Sequence, residues 1–95
     1  MPEKQLFHEL IMCCHELAMQ GYAPASSGNA SIHTSKGVWI TRGGAILSQL
    51  NLEDFVLVDA AGDQISGYGQ PSKEVLLHLA IYKNRPKTNV VLHLH

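Results

Sequence analysis

The 95-residue sequence predicts an α/β or α+β sandwich, because helical patterns lie at both ends of a run of short strand patterns. A chain of this length with 45% hydrophobic and 16% charged residues is typical of one globular domain. The net charge of -1 gives no basic surface for nucleic acid, and no apolar run approaches the ~20 residues of a membrane span. The N-terminus lacks the layout of a signal peptide. We therefore expect a cytoplasmic protein that binds neither nucleic acid nor membranes.

The first predicted element is an amphipathic helix over residues 3–20. Two adjoining stripes at helical spacing support it: Leu6, Leu10, Cys13 and Leu17, and next to them Phe7, Ile11, Cys14 and Ala18. Gly21 suits a left-handed cap at the C-terminal end. Adjacent cysteines rarely form a disulfide, so Cys13 and Cys14 are expected to be reduced thiols, with at least one facing the core.

Short strands follow the loop "SSGNAS". The stretches "ASIHTS" and "VWIT", separated by "KG", predict a β-hairpin, and "FVLVDAAGDQI" predicts a strand and a turn at Ala61–Gly62–Asp63. A second helix is predicted from about Ser72 to Pro86, before a final strand "NVVLHL". Its expected buried stripe consists of Leu76, Leu79, Ala80 and Tyr82.

The last strand carries the first candidate site. Side chains alternate along a strand, so His93 and His95 share one face, with Cα atoms roughly 6.5–7 Å apart. Both imidazoles can therefore reach one metal ion, although two histidines do not complete a site. Glu74 and His78 share a helix face, which makes a chelate geometrically possible. A carboxylate that interacts with the helix dipole and a packed core histidine are the simpler interpretations of that pair.

Three stretches of small residues are candidate anion sites. The loops "SSGNAS" and "TRGG" can present backbone N–H groups, and "QPSKE" adds a serine at a helix start. Each alone is equally consistent with an ordinary turn. They become informative only in combination with the His-x-His strand.

Taken in order, these segments resemble the class II aldolase/adducin family over the length of the chain. The run from Pro71 to His95 is the most specific part: serine, glutamate, a helix that ends in Arg-Pro, and then His-x-His. The resemblance implies a three-layer α/β/α sandwich that is truncated after the His-x-His strand. Residues 1–95 would then be the N-terminal part of a single class II aldolase/adducin-like domain.

The resemblance also implies a set of site residues. His93 and His95 would bind Zn²⁺ or another divalent metal, and Glu74 would act as general acid/base and could approach that metal. A metal that chelates a hydroxy-ketone stabilises an enediolate, which suits carbon–carbon cleavage or decarboxylation. The expected substrate-phosphate ligands are Gly28, Asn29, Gly43, Gly44, Ser72 and Lys73.

Within the family, "PSKE" resembles the branch that decarboxylates 3-oxo-tetronate 4-phosphates, with L-fuculose-phosphate aldolase and L-ribulose-5-phosphate 4-epimerase as alternatives. A homotetramer is implied. Two features depart from the family pattern: Gly43 replaces a hydroxyl residue, and no third histidine ligand or catalytic tyrosine follows His95. A non-catalytic interaction module, as in the adducin branch, and an inactive fragment are therefore the competing hypotheses.

Overall fold

The computed structural model describes residues 3–94 of the chain. The elements in chain order are α1 (Glu3–Met19), β1 (Asn29–Thr34), β2 (Gly37–Thr41), β3 (Phe55–Val58), β4 (Gln64–Ser66), α2 (Val75–Asn84) and β5 (Val90–His93). Two short 3₁₀ helices, Leu47–Gln49 and Leu52–Asp54, connect β2 to β3. Neither α1 nor α2, the two α-helices within the described range, has the length and hydropathy to cross a membrane.

Helix α1 ends in the cap that the sequence predicts. Gly21 has a φ of +90°, a conformation that side chains with a Cβ rarely adopt. The N–H of Tyr22 donates to the carbonyl of Leu17 at 3.0 Å, and the N–H of Gly21 donates to that of Ala18 at 3.0 Å. This pair of bonds is a Schellman motif, and it turns the chain sharply towards the loop before β1.

The five strands form one antiparallel sheet in the order β4-β3-β2-β1-β5. The predicted β1–β2 hairpin is confirmed, with Thr34 opposite Gly37 and Ser31 opposite Ile40. The predicted turn after β3 is also confirmed, because the Asp59 carboxylate accepts the N–H groups of Ala61 and Asp63. Strand β5 pairs with β1, so the first and last strands of the described sheet are neighbours.

One helix packs on each face of the sheet. On the α1 face the buried cluster consists of Phe7, Leu10, Cys14, Ala23, Ala30, Ile32, Ala45, Leu47, Leu50 and Phe55. On the α2 face it consists of Val38, Ile40, Val56, Val58 and Tyr82. Alternation along the strands explains this division, since neighbouring residues point to opposite faces.

The inward face of α1 lies between the two predicted stripes. Phe7, Leu10 and Cys14 are buried, and the Phe7 ring makes an edge-to-face contact with Phe55 at a centroid distance of 5.1 Å. Cys14 confirms the expectation that one thiol faces the core, whereas Cys13 is exposed.

Two predictions for the second helix are wrong. The helix begins at Val75 rather than near Ser72, because the Ser72 hydroxyl accepts the N–H of Glu74 and holds a turn there. Leu76 is 69% exposed and Ala80 is also exposed, although both were expected in the buried stripe. The helix is apolar on nearly every side, so hydrophobic spacing alone does not select the inward face. The buried residues of α2 are His78 and Tyr82.

Candidate functional site

The three loops singled out in the sequence meet at one cavity. Its volume is about 210 Å³, and it opens between the start of β1, the end of β2 and the start of α2. The residues that line it are Ser26, Ser27, Gly28, Asn29, Arg42, Gly43, Gly44, Ala45, Ser72 and Lys73. All six residues expected to bind substrate phosphate are among them. Glu74 and His93 are not among the described residues that line this cavity.

Thr41, the last residue of β2, links the three loops. Its hydroxyl accepts the N–H of Ala30 at 3.2 Å, and its carbonyl accepts the N–H of Ser72 at 2.9 Å. Next to it, the N–H of Gly43 donates to the carbonyl of Gln70 at 2.8 Å. The cavity wall is therefore held by two backbone hydrogen bonds and by one bond to the buried Thr41 hydroxyl, all between parts of the chain that are distant in sequence.

Gly28 is required by both its conformation and its surroundings. Its φ is +83°, and a Cβ at this position would lie 2.9 Å from the Cβ of Ala23 and 3.2 Å from the carbonyl oxygen of His93. Only glycine lets the loop pass this close to β5. The close approach brings the cavity next to the strand that carries His93.

Two cationic side chains line the cavity, but they differ in availability. Arg42 forms an ion pair with Asp54, with both its Nε and its Nη2 at 3.0 Å from Asp54 Oδ1. Its charge is therefore largely balanced within the protein. The exposed Lys73 makes no ion pair with any residue in 3–94. Lys73 is thus the cation that an incoming anion would meet.

A buried polar chain lies directly behind the cavity. His78 is 0% exposed; its Nδ1 lies 2.6 Å from the Ser31 hydroxyl and its Nε2 lies 2.5 Å from Asn29 Oδ1. The Ser31 hydroxyl in turn lies 2.7 Å from that of Tyr82. Burial, with a smaller effect of nearby His93, lowers the pKa of His78 to about 4, so the ring is neutral at pH 7. Burial raises the pKa of Tyr82 to about 12, and its hydrogen bonds with Ser31 and with the Val91 backbone oppose that rise.

The sequence predicted a core position for His78, which the structure confirms. It did not predict that His78 contacts Asn29, a residue of the expected phosphate site. The available signal was on β1, where Asn29 and Ser31 share one face. Two polar residues on a strand face that a helix covers require a polar partner on that helix.

The expected metal site is only partly within the described residues. His93 lies on β5 opposite Asn29, and His95 lies outside the described residues. Residues 3–94 contain no group of three or more His, Cys, Asp or Glu side chains that could hold a metal ion. Both ring nitrogens of His78 are engaged, so it does not form the chelate with Glu74 that helical spacing allows. Residues 3–94 alone therefore do not provide a three-ligand metal centre.

Glu74 immediately precedes α2. Its backbone N–H donates to the Ser72 hydroxyl at 3.2 Å, and its carbonyl accepts the N–H of His78 at 3.2 Å. Its carboxylate makes no hydrogen bond or ion pair with another residue of the described range. The half-buried side chain is therefore available for chemistry beside the cavity.

A larger groove of about 590 Å³ lies along α2, and Leu76, Leu79, Tyr82 and Lys83 are among its lining residues. Its lining is mainly apolar and includes none of the predicted site residues. The smaller cavity is the better candidate for a site that binds a charged ligand, because loops, polar groups and a cation converge there.

Known proteins resemble this chain in both sequence and structure. It is 44% identical over 87 residues to L-fuculose phosphate aldolase of Methanococcus vannielii, covering 92% of this chain and 47% of that protein. It is 36% identical over 88 residues to methylthioribulose-1-phosphate dehydratase of Klebsiella pneumoniae, covering 92% of this chain and 44% of the relative. The crystal structure of YgbL from Klebsiella pneumoniae superposes with a TM-score of 0.89 at 36% identity, covering 100% of this chain and 46% of that one. The chain thus spans about half the length of the relatives it matches.

The family match agrees with these similarities. Residues 8–95 match the family described as Class II Aldolase and Adducin N-terminal domain. That range includes most of the expected first helix and all of the loops, the hairpin and the final strand, in the expected order. The chain belongs to the class II aldolase/adducin family.

Proposed function

We propose that this chain is the N-terminal part of a metal-dependent class II aldolase-type lyase that acts on a small phosphorylated sugar or sugar acid. The observation that carries the proposal is the cavity where three loops place backbone groups and Lys73 around one space. A phosphate is the ligand that such an arrangement suits, because it accepts several N–H groups and carries negative charge. The names of the two relatives support this choice, since each specifies a sugar phosphate.

In this proposal the phosphate ligands are the six cavity residues expected from the sequence: Gly28, Asn29, Gly43, Gly44, Ser72 and Lys73. The nearby carboxylate of Glu74 moves protons on the substrate. His93 and His95 bind Zn²⁺ or another divalent metal. Residues 3–94 contain no group of three such ligands, so the proposed centre needs ligands from outside this range, His95 among them.

We also propose the larger architecture that the resemblance implies. One helix on each face of the described sheet is consistent with a three-layer α/β/α sandwich. A cytoplasmic homo-oligomer, tetrameric by resemblance, would complete the site. Light scattering of the purified protein would test the oligomeric state.

For the reaction branch, we propose decarboxylation of a 3-oxo-tetronate 4-phosphate, because Lys73 adds a cation that can meet a second acidic group of the substrate. Aldol cleavage of a fuculose-type phosphate is the second candidate. The identity of 44% to a protein named L-fuculose phosphate aldolase favours it. Release of carbon dioxide as opposed to an aldehyde distinguishes the two reactions.

Calorimetric titration of the chain with sugar phosphates and with the corresponding free sugars tests the binding site. We expect the phosphorylated compounds to bind and the free sugars not to bind. Lys73→Met should weaken binding about tenfold, the effect of a charge-assisted hydrogen bond. Lys36→Met, at the exposed turn of the β1–β2 hairpin, is the matched control. Equal binding of free and phosphorylated sugars would contradict the proposal.

A further inference from the structure

Four buried groups form a continuous hydrogen-bonded chain from α2 to the cavity. In order they are the Tyr82 hydroxyl, the Ser31 hydroxyl, the His78 ring and the Asn29 carboxamide. All four residues are at least nine-tenths buried, so water does not compete for these bonds. Of the four, Asn29 lines the cavity.

The chemistry of the groups gives this chain a direction. Asn29 Oδ1 can only accept a hydrogen bond, so His78 Nε2 must carry the ring proton. A neutral imidazole with its proton on Nε2 accepts at Nδ1, so the Ser31 hydroxyl donates to it. The Ser31 oxygen is then available to accept the Tyr82 hydroxyl proton. Each donor therefore points towards the cavity.

The last step concerns the other end of the Asn29 carboxamide. Because Oδ1 faces His78, the NH₂ group is left for the cavity side, and no acceptor in residues 3–94 takes a hydrogen bond from it. A carboxamide rotated by half a turn would instead present its oxygen to the cavity and repel an anion. The orientation of this one group thus decides whether Asn29 attracts or repels phosphate.

We propose that His78 is a positioning residue for anion binding: it holds the Asn29 carboxamide with its NH₂ group turned into the cavity, and Ser31 and Tyr82 fix the His78 tautomer that does so. The inference rests on the proposed function, since it concerns the same phosphate site. It assigns a role to a fully buried histidine that touches no substrate.

The first experiment measures the His78 tautomer directly. Long-range ¹H–¹⁵N correlation spectra of the ¹⁵N-labelled full chain at neutral pH distinguish protonated from unprotonated ring nitrogens. We expect a protonated Nε2 and an unprotonated Nδ1. The opposite tautomer would reverse the donor and acceptor at both His78 hydrogen bonds and would overturn the inference. A histidine that merely filled space would show no fixed preference.

The second experiment titrates inorganic phosphate into the wild-type chain and into Ser31→Ala, which removes the donor to His78 together with the acceptor of the Tyr82 hydroxyl. Phosphate affinity should fall about fivefold, as for the loss of one hydrogen bond. Tyr82→Phe should weaken it less, because it acts one step further away. Ser35→Ala, at the exposed hairpin turn, is the matched control and should bind as wild type does.

The outcomes separate the inference from the proposed function. If the wild-type chain does not bind phosphate, the proposed anion site is refuted, and the inference about His78 is refuted with it. If wild type binds and Asn29→Ala weakens binding, but Ser31→Ala and the less conservative His78→Gln bind normally, the site stands and the positioning role is overturned. Weaker binding by a folded Ser31→Ala variant, together with a lost tautomer preference, supports the role.

Discussion

Replacing Gly28 by alanine tests whether the cavity loop needs glycine for its conformation, its surroundings or both. The added Cβ would lie 2.9 Å from Ala23 Cβ, 3.1 Å from Leu47 Cδ1 and 3.2 Å from the His93 carbonyl oxygen. Gly21 is the matched control, because its φ of +90° is close to the +83° of Gly28. A Cβ there meets no atom of residues 3–94 within 4 Å.

Both substitutions place a Cβ in the left-handed conformation, but only Gly28→Ala also crowds neighbouring atoms. The left-handed conformation costs about 1–2 kcal/mol for a residue with a Cβ, and reduced freedom of the unfolded chain returns about 0.4–1 kcal/mol. Gly21→Ala should therefore lower the free energy of unfolding by about 0.5–1 kcal/mol. Crowding adds about 1–3 kcal/mol at Gly28, so Gly28→Ala should lower the free energy of unfolding by about 1.5–4 kcal/mol. That loss is a large part of the roughly 5–15 kcal/mol that stabilises a typical domain.

Urea unfolding followed by circular dichroism gives both free energies of unfolding, and phosphate titration of the folded variants gives their affinities. We expect Gly28→Ala to be the less stable variant and to bind phosphate more weakly, since the loop must move away from Ala23 and β5. Gly21→Ala should bind phosphate as wild type does. Equal destabilisation by the two substitutions would refute the argument from close packing.

The remaining predictions concern the thiols and the metal. Cys13 is exposed and should be alkylated rapidly in the native protein, whereas buried Cys14 should react only on unfolding; equal labelling rates, measured by mass spectrometry, would show that α1 is misplaced. Burial, and to a smaller extent Cys13, raises the pKa of Cys14 from 9.0 to about 12, so its contribution to stability is complete below pH 9 and is lost as pH rises towards 12. Urea unfolding across that range should show a smaller loss in Cys14→Ala than in wild type, because the raised pKa of Tyr82 still lowers stability between pH 10 and 12 in both. Calorimetric titration with Zn²⁺ should show binding that His93→Ala/His95→Ala abolishes, and binding that survives in the double variant would exclude this pair as ligands.

The sequence alone predicted those parts of the fold that depend on the chemistry of neighbouring residues. Gly21 indicated the end of α1, and the turn residues after β3 indicated the next reversal of the chain. The expected phosphate ligands from three separate loops also meet at one cavity. The family resemblance brought that last prediction, because loop composition alone left each stretch consistent with an ordinary turn.

Sequence reasoning failed where contacts between distant residues decide the outcome. His78 and Tyr82 on the inward face of α2 share hydrogen bonds with Ser31, and hydrophobic periodicity does not reveal such bonds. The charge of Arg42 is balanced by Asp54, which lies twelve positions further along the chain. Such pairings depend on the tertiary fold, so a single sequence does not specify them.

The strand order has a consequence for how the protein folds. Strands β1 to β4 pair with their neighbours along the chain, but β5 pairs with β1 across more than half of the sequence. Local hairpins form before distant strands meet, because closing a long loop costs more entropy. Asn29 pairs with His93, so the cavity should acquire its final shape only when β5 docks. During synthesis, we therefore expect the hairpins to form first and the candidate site to assemble only after β5 has left the ribosome.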